Sequence, residues 1–228
     1  MFRSALVIVA GLTLVTTGCG STGGSNNNNG GGDVQPDMTA PGPDLAPYDP
    51  GPYPEGPYGI KEGDTIYNVA PNGYALSIEN SDVSTLEFKS LPLSSIRADP
   101  RCKCLMISKS ARWCGPCNVE QDEFAKAHEE DPSFCIYNVL IQGLQNDGSR
   151  ATPADVLAWV QQHNQNFPVV MGTLATDAKI PSYYSAPGIT SLPSNILVNP
   201  KTMKILQISA GLGPNTIADA KAMCAADQ

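Results

Sequence analysis

The chain has 228 residues, a formal net charge of −8 at pH 7 and seven cysteines. The acidic balance argues against a protein that binds nucleic acid, because such a protein needs a basic surface facing the phosphates. Cysteines in this number are typical of proteins that fold in an oxidising compartment outside the cytoplasm.

Residues 1–18 have the pattern of a secretory signal peptide. Arg3 is followed by the apolar run 5–15, which is shorter than the ~20 residues that span a bilayer. The sequence that leads into Cys19 resembles the lipobox of bacterial lipoproteins, except that Thr16 stands where the family usually has Leu. The resemblance implies that Cys19 is acylated and becomes the new N-terminus. An ordinary signal peptide with a chance cysteine is the alternative.

Residues 19–58 are rich in Gly, Ser, Asn and Pro and poor in apolar side chains. Such a segment buries too little apolar surface to offset the entropy that is lost on ordering. It is therefore predicted to be a disordered linker between the lipid and the domain. The remaining residues, 59–228, are predicted to form one compact domain.

The first predicted elements of this domain are two strands joined in a hairpin. Apolar residues recur in the segments 65–70 and 74–78. The residues between them, 71–73, contain the Asn-Gly pair that favours tight β turns. We therefore expect an N-terminal hairpin with its turn at 71–73.

Strands and helices alternate along the rest of the chain. Apolar runs predict strands, and helical spacing with capping residues predicts helices. The expected order is a strand at 105–108, a helix ending near 130, a strand at 134–141, a helix beginning near Thr152, strands at 167–171, 194–198 and 203–208, and a helix at about 215–225. This order predicts an α/β fold with a mixed sheet.

The most specific motif is Trp113-Cys114-Gly115-Pro116-Cys117, which lies between a predicted strand and a predicted helix. Two cysteines with this spacing at a helix start can close a disulfide, and the partial positive charge of the helix N-terminus stabilises the first thiolate. Cys114 is therefore predicted to attack a partner disulfide and Cys117 to resolve the mixed disulfide. Pro116 fits the first helical turn, where its missing N–H is not needed.

Two other roles are open to this cysteine pair, namely an inert structural disulfide and half of a zinc site. A zinc site needs a second pair of ligands. Cys102 and Cys104 have the wrong spacing for such a pair, and His128 and His163 are isolated along the sequence. No metal and no cofactor are therefore expected.

The motif at 113–117 matches the active-site motif of thioredoxins at every position, and the sequence around Leu192 and Pro193, before an apolar strand, is also similar to that family. The resemblance implies a three-layer thioredoxin-like fold with a mixed central sheet and, here, an N-terminal β extension. It implies that Pro193 is a cis-proline beside the disulfide and that Leu192 offers backbone hydrogen bonds to a substrate chain. It also implies that the active site is supported by the other motif residues, Trp113, Gly115 and Pro116.

Further features resemble the membrane-attached TlpA-like branch of the family. Glu120 lies three residues after the second cysteine, and the segment 144–167 looks like an insertion with an extra helix. The resemblance implies that the chain acts on disulfides of exported proteins and receives electrons from an upstream membrane thiol reductase. It also implies a reductase on the periplasmic face or the cell surface of a bacterium, with oxidation or isomerisation as the alternative directions.

Three positions depart from the family. Ser108 stands six residues before the first cysteine, where thioredoxins have a buried acid that serves the second thiol. A serine hydroxyl is no base near neutral pH, so the proton acceptor is missing at this position. Asp122 replaces a proline that kinks the helix, and Asn118 replaces a lysine. We expect these two changes to affect mainly helix shape and surface charge.

Outside the motif and the lipobox the chain has Cys102, Cys104, Cys135 and Cys224. Four cysteines allow three pairings, and the sequence does not choose among them. Structural disulfides are expected. A shuttle that passes oxidising equivalents to the active-site pair is the alternative.

Three other functions are alternatives. A peroxiredoxin resembles this chain less, because it has Thr and Pro where Ala111 and Ile107 stand here. A Sco-type copper-delivery module has a CxxxC pair and a downstream His, and the cysteine spacing here is one residue shorter. The last alternative is an adaptor whose disulfide is never turned over.

Overall fold

The computed structural model describes residues 50–172, 191–211 and 216–227. The predicted signal peptide, Cys19 and most of the predicted linker lie outside these residues and stay predictions. Tyr53, near the end of the predicted linker, donates a hydrogen bond to the carbonyl oxygen of Ile66 at 2.8 Å. Within the described ranges, no helix has the length and apolar character that crossing a bilayer requires.

The described part of the chain has one sheet of seven strands, β1 (Asn72–Tyr74), β2 (Lys89–Ser90), β3 (Cys104–Ala111), β4 (Phe134–Gln142), β5 (Val169–Met171), β6 (Ser194–Val198) and β7 (Ile205–Ala210). Its α-helices are α1 (Leu93–Arg97), α2 (Gly115–Glu130), α3 (Pro153–His163) and α4 (Thr216–Ala226). The strands lie in the order β2-β1-β5-β4-β3-β6-β7. The neighbours β3–β4 and β4–β5 are parallel and the other neighbours antiparallel, so the expected mixed sheet is confirmed.

Hydrophobic side chains cover both faces of the sheet. Met106 of β3 belongs to a cluster with Phe124 of α2 and Trp159 of α3. The next residue toward the N-terminus, Leu105, belongs to a second cluster with Leu93 of α1. Successive side chains of a strand point to opposite faces, so the two clusters lie on opposite sides of the sheet. The expected three-layer architecture is therefore confirmed.

The expected hairpin with its turn at 71–73 is wrong. Asn72 and Gly73 lie in β1, which pairs with β2 on one side and with β5 on the other. Gly73 is opposite Val170, and a Cβ on Gly73 would collide with the carbonyl oxygen of Val169. Glycine is needed here because two backbones approach closely, and not because the chain turns. The expected N-terminal β extension is present as β1 and β2.

The extra helix of the insertion is α3, and it begins where the sequence predicts. Thr152 and Asp155 form a capping box, and Pro153 occupies the first helical turn. Asn164 ends the helix in the left-handed region, at a φ of 46°. α3 packs beside α2: Asp155 near its start contacts Arg112, just before the cysteine motif, and His163 at its end contacts Asn118 of α2.

Candidate active site

The cysteine pair lies where β3 passes into α2. Cys114 is the N-cap residue of α2, and its sulfur accepts a hydrogen bond from the backbone N–H of Cys117 at 3.2 Å. The two residues form a disulfide with their Cα atoms 5.2 Å apart. Cys117 is completely buried, and Cys114 is 3% exposed. An N–H at a helix N-terminus that is aimed at a sulfur stabilises its thiolate, and here that sulfur belongs to Cys114.

The other residues of the motif shape the rim. The indole N–H of Trp113 donates to the side-chain oxygen of Gln142 at 2.8 Å, so β4 holds this ring. Pro116 occupies the first turn of α2, as predicted. A Cβ on Gly115 would meet no described atom within 4 Å, so packing within the described residues does not require a glycine here.

A hollow of about 270 Å³ lies beside Pro116, the residue that precedes Cys117. Pro116 of the motif and Pro193 of the segment before β6 both line it, so the structure brings these two predicted residues together. The peptide bond between Leu192 and Pro193 is cis. Leu192 is half-buried and packs against the hydrophobic cluster that contains the cysteine pair. Val119, which is 62% exposed, also lines the hollow.

The same hollow contains a buried carboxyl group. Glu120 lies on α2, three residues beyond Cys117, and is 2% exposed. Its carboxylate oxygens accept hydrogen bonds from Asn195 Nδ2 at 2.6 Å and from Ser108 Oγ at 3.0 Å. Burial raises the pKa of Glu120 to about 7, although these two hydrogen bonds lower it. The site therefore holds a group that gains and loses a proton near neutrality.

Glu120 is a buried acid in contact with Ser108, the position at which thioredoxins have an acid of their own. Ser108 lies on β3, and its hydroxyl donates a hydrogen bond to the Glu120 carboxylate. In the sequence, Glu120 stands out only as a feature shared with the TlpA-like branch, and its burial beside Ser108 is not predicted. The usable signal was its spacing, because residues three apart in a helix lie on one face, here the face of Cys117.

A chain of buried polar side chains continues from this carboxyl into the core. Gln121 Nε2 donates to Ser110 Oγ at 3.2 Å, and Asn138 Nδ2 donates to the same oxygen at 3.0 Å. Asn138 also accepts from the indole N–H of Trp159 on α3 at 3.1 Å. Because buried polar groups are costly unless paired, this network fixes β3, β4, α2 and α3 relative to one another.

The remaining described cysteines form two disulfides, Cys102–Cys135 and Cys104–Cys224. Both lie at the start of β3, whereas the active-site pair follows its end. β3 has eight residues, so the two groups of cysteines are separated by about 25 Å. This distance excludes direct exchange with the active-site pair and favours a structural role. No group of three or more His, Cys, Asp or Glu side chains within the described ranges is placed to hold a metal ion.

Comparisons with known proteins bear on the fold. No family model matches the chain, and no curated protein sequence matches it. The thioredoxin domain of a thiol-disulfide oxidoreductase from Bacteroides vulgatus is similar in structure, with a TM-score of 0.51 at 15% identity, over 73% of this chain and 99% of that chain. A secreted thiol-disulfide isomerase from Corynebacterium glutamicum has a TM-score of 0.51 at 13% identity, over 71% of this chain and 86% of that chain.

These similarities agree with the order of elements around the cysteine pair. The parallel strands β3 and β4, the helix that begins at the pair, and the antiparallel β6 and β7 after a cis-proline have the arrangement that the sequence implied. The described domain has the thioredoxin fold.

Proposed function

We propose that the chain is a thiol–disulfide oxidoreductase that reduces disulfides of exported proteins. The observation that carries this proposal is the arrangement of three groups. The Cys114 sulfur receives an N–H of the α2 N-terminus, Cys117 is buried behind it, and Glu120 lies one helical turn further on. An inert disulfide has no need of a buried carboxyl group whose pKa is near 7.

The first step uses the thiolate of Cys114 in the reduced protein. It attacks one sulfur of a substrate disulfide, which forms a mixed disulfide, and the other substrate sulfur leaves as a thiolate that takes a proton from water. The hollow beside Pro116 offers room for the substrate chain next to Pro193 and Val119.

The second step uses Cys117. Its thiol gives its proton to the carboxylate of Glu120, and its sulfur attacks the Cys114 sulfur. The mixed disulfide breaks, and the second substrate sulfur leaves as a thiolate that takes a proton from water. Two electrons have then passed to the substrate, and the protein holds the Cys114–Cys117 disulfide that the structure contains. A membrane thiol reductase would restore the dithiol, and protonated Glu120 would return its proton.

A trapping experiment tests this mechanism. Cys117→Ser should accumulate as a mixed disulfide with substrate proteins, because nothing resolves the adduct, whereas Cys114→Ser should form none. Gels run without reductant on both variants, expressed in an exporting host, show the adducts directly. Adducts on both variants, or on neither, would remove Cys114 from the role of nucleophile and favour the adaptor with an inert disulfide.

We also propose that the chain is exported and held to a bacterial membrane by a lipid on Cys19. Each of the six cysteines in the described residues is in a disulfide, which supports an oxidising compartment. Stable anchoring by lipid takes more than one acyl chain, as lipoprotein modification provides. Cys19→Ser should move the protein to the soluble exported fraction, and a variant that still pellets with membranes after a salt wash would contradict the anchor.

A further inference from the structure

The side chain of Asn118, in the first turn of α2, lies against residues 112–114, which we call the active-site turn. Its amide nitrogen donates to the carbonyl oxygen of Cys114 at 2.8 Å and to that of Arg112 at 3.3 Å. These carbonyls lie on either side of Trp113. One side chain therefore holds both ends of the turn that presents the Cys114 sulfur.

Two side chains at the end of α3 fix the orientation of this amide. Gln162 Nε2 donates to Asn118 Oδ1 at 2.7 Å, and His163 Nε2 lies 3.2 Å from the same oxygen. The amide nitrogen has two carbonyl acceptors, and the amide oxygen accepts from Gln162 Nε2. A flipped amide would lose these three hydrogen bonds.

His163 is itself held in place. Its side chain is 3% exposed, and its ring packs edge-to-face on Trp159 with 4.3 Å between the centroids. Its Nδ1 lies 2.8 Å from Asp122 Oδ1. Besides the expected effects on helix shape and surface charge, Asn118 and Asp122 belong to one chain of contacts that ends at the active-site turn.

We infer that Asn118, oriented by His163 and Gln162, is a positioning residue for attack by Cys114. The inference rests on the proposed function, in which Cys114 is the nucleophile. Without the amide, the active-site turn gains freedom, and the Cys114 sulfur spends less time at the N–H of Cys117. The thiolate is then stabilised less and forms less readily.

The test compares Asn118→Ala, His163→Phe and the double variant, with Gln161→Ala as the matched control on an exposed position of the same helix. His163→Phe keeps a ring against Trp159 and removes both ring nitrogens. The reduced proteins are alkylated with iodoacetamide across the neutral and acidic range, and mass spectrometry follows the modification of Cys114.

Asn118→Ala should slow alkylation of Cys114 at mildly acidic pH by roughly two- to tenfold, which is the effect of losing about one hydrogen bond, and should move the pH profile upward. His163→Phe should act in the same direction by a smaller factor, because Gln162 still holds the amide. The double variant should equal Asn118→Ala, since His163 acts through Asn118. Gln161→Ala should match wild type. A loss of stability does not by itself shift the pH profile of Cys114 alkylation as long as the protein is folded. Near-UV circular dichroism verifies that each variant is folded.

Unchanged profiles in Asn118→Ala and His163→Phe, or additive effects in the double variant, would overturn the inference. Asn118→Asp serves as the test if the alanine variant does not fold, because aspartate has the same size and its carboxylate cannot donate to the two carbonyls. Alkylation of Cys114 in Asn118→Asp should be slowed at least as much as is expected for Asn118→Ala. A wild-type protein in which Cys114 is not alkylated before Cys117 would instead contradict the proposed function itself.

Discussion

In the proposed mechanism, a single residue, Glu120, determines how the second thiol of the pair loses its proton. Glu120 is buried, and its two donors are Ser108 and Asn195, so its carboxylate is stabilised without becoming fully solvated. The balance between burial and these hydrogen bonds places its pKa at about 7. A group with this pKa accepts a proton in the reductive step and returns it when the disulfide is reduced again.

Replacing Glu120 should therefore slow the second step of the reaction and change its pH dependence. Glu120→Gln should reduce the rate at which the mixed disulfide is resolved by on the order of 10²-fold, because the general base is lost. The wild-type rate should rise with pH around 7, and the variant should lack this rise. Rapid-mixing kinetics of insulin reduction, recorded across this pH range, measure the rate in both proteins. Glu123→Gln, which changes an exposed acid of the same hollow, is the control and should keep the wild-type profile.

The same carboxyl should make stability depend on pH. Its folded-state pKa is raised, so between the ordinary value of 4.5 and about 7 the folded state binds more protons than the unfolded state. Stability contributed by Glu120 is thus present at low pH and lost as pH rises through this window. Relative to Glu120→Gln, the oxidised wild-type protein should lose about 3 kcal/mol of unfolding free energy across the window. Denaturant titrations at several pH values measure the difference, and a constant difference would contradict the buried acid.

At the level of elements, local sequence signals predict some segments and fail at others for identifiable reasons. α3 begins at its predicted capping box because the contacts of Thr152 and Asp155 are local. β6 has the predicted bounds, Ser194–Val198, because the apolar residues 196–198 indicate a buried strand. The prediction of a turn at 71–73 fails because Gly73 packs against the backbone of β5, which lies far along the chain.

The polar contacts of the site could not be predicted for the same reason. Sequence spacing places Glu120 on the face of Cys117, but its partner Asn195 comes from β6 and is known only after folding. The contact of His163 with Asn118 likewise joins two helices that are 45 residues apart at these positions. The role of the cysteine motif could be predicted from the sequence, because its residues act through the helix N-terminus that they themselves form.

The start of α3 offers a prediction at this scale. Asp155 caps the helix and also pairs with Arg112 of the active-site turn at 3.0 Å. Asp155→Ala should lower the unfolding free energy by about 1–2 kcal/mol, because it removes a helix cap and a partly buried ion pair. Thermal and denaturant unfolding measure the loss. Thr152→Ala removes the cap and keeps the ion pair, so it should cost less; an equal loss would mean that the Arg112 contact adds nothing.

At the scale of the whole molecule, the active-site cysteine pair and the two structural disulfides lie at opposite ends of β3. The active-site pair follows the end of this strand, and both other disulfides lie at its start. Cys104–Cys224 joins the central strand to α4, the last helix. The reactive turn is therefore carried by a strand whose opposite end is covalently fixed.

The two structural disulfides should stabilise the fold to different extents. Cys104–Cys224 spans 120 residues and Cys102–Cys135 spans 33, and closing a longer loop removes more entropy from the unfolded chain. Replacing the first pair by serine should cost about 5 kcal/mol and replacing the second about 4 kcal/mol. Denaturant unfolding measures both losses. If a folded variant no longer reduces insulin, the purely structural role is contradicted, and the alternative of an electron shuttle to the active-site pair is favoured.

The separation of the cysteines along β3 also fixes the electron capacity of the domain. The described residues contain six half-cystines, all of them buried, and of the three disulfides only Cys114–Cys117 lies at a helix N-terminus, next to the hollow that Pro116 lines. One molecule therefore stores a single electron pair, and a mild reductant should release two thiols per domain while the other four sulfurs stay bonded. If the proposed function is right, each domain transfers one electron pair per cycle and does not hold electrons for several substrates at once.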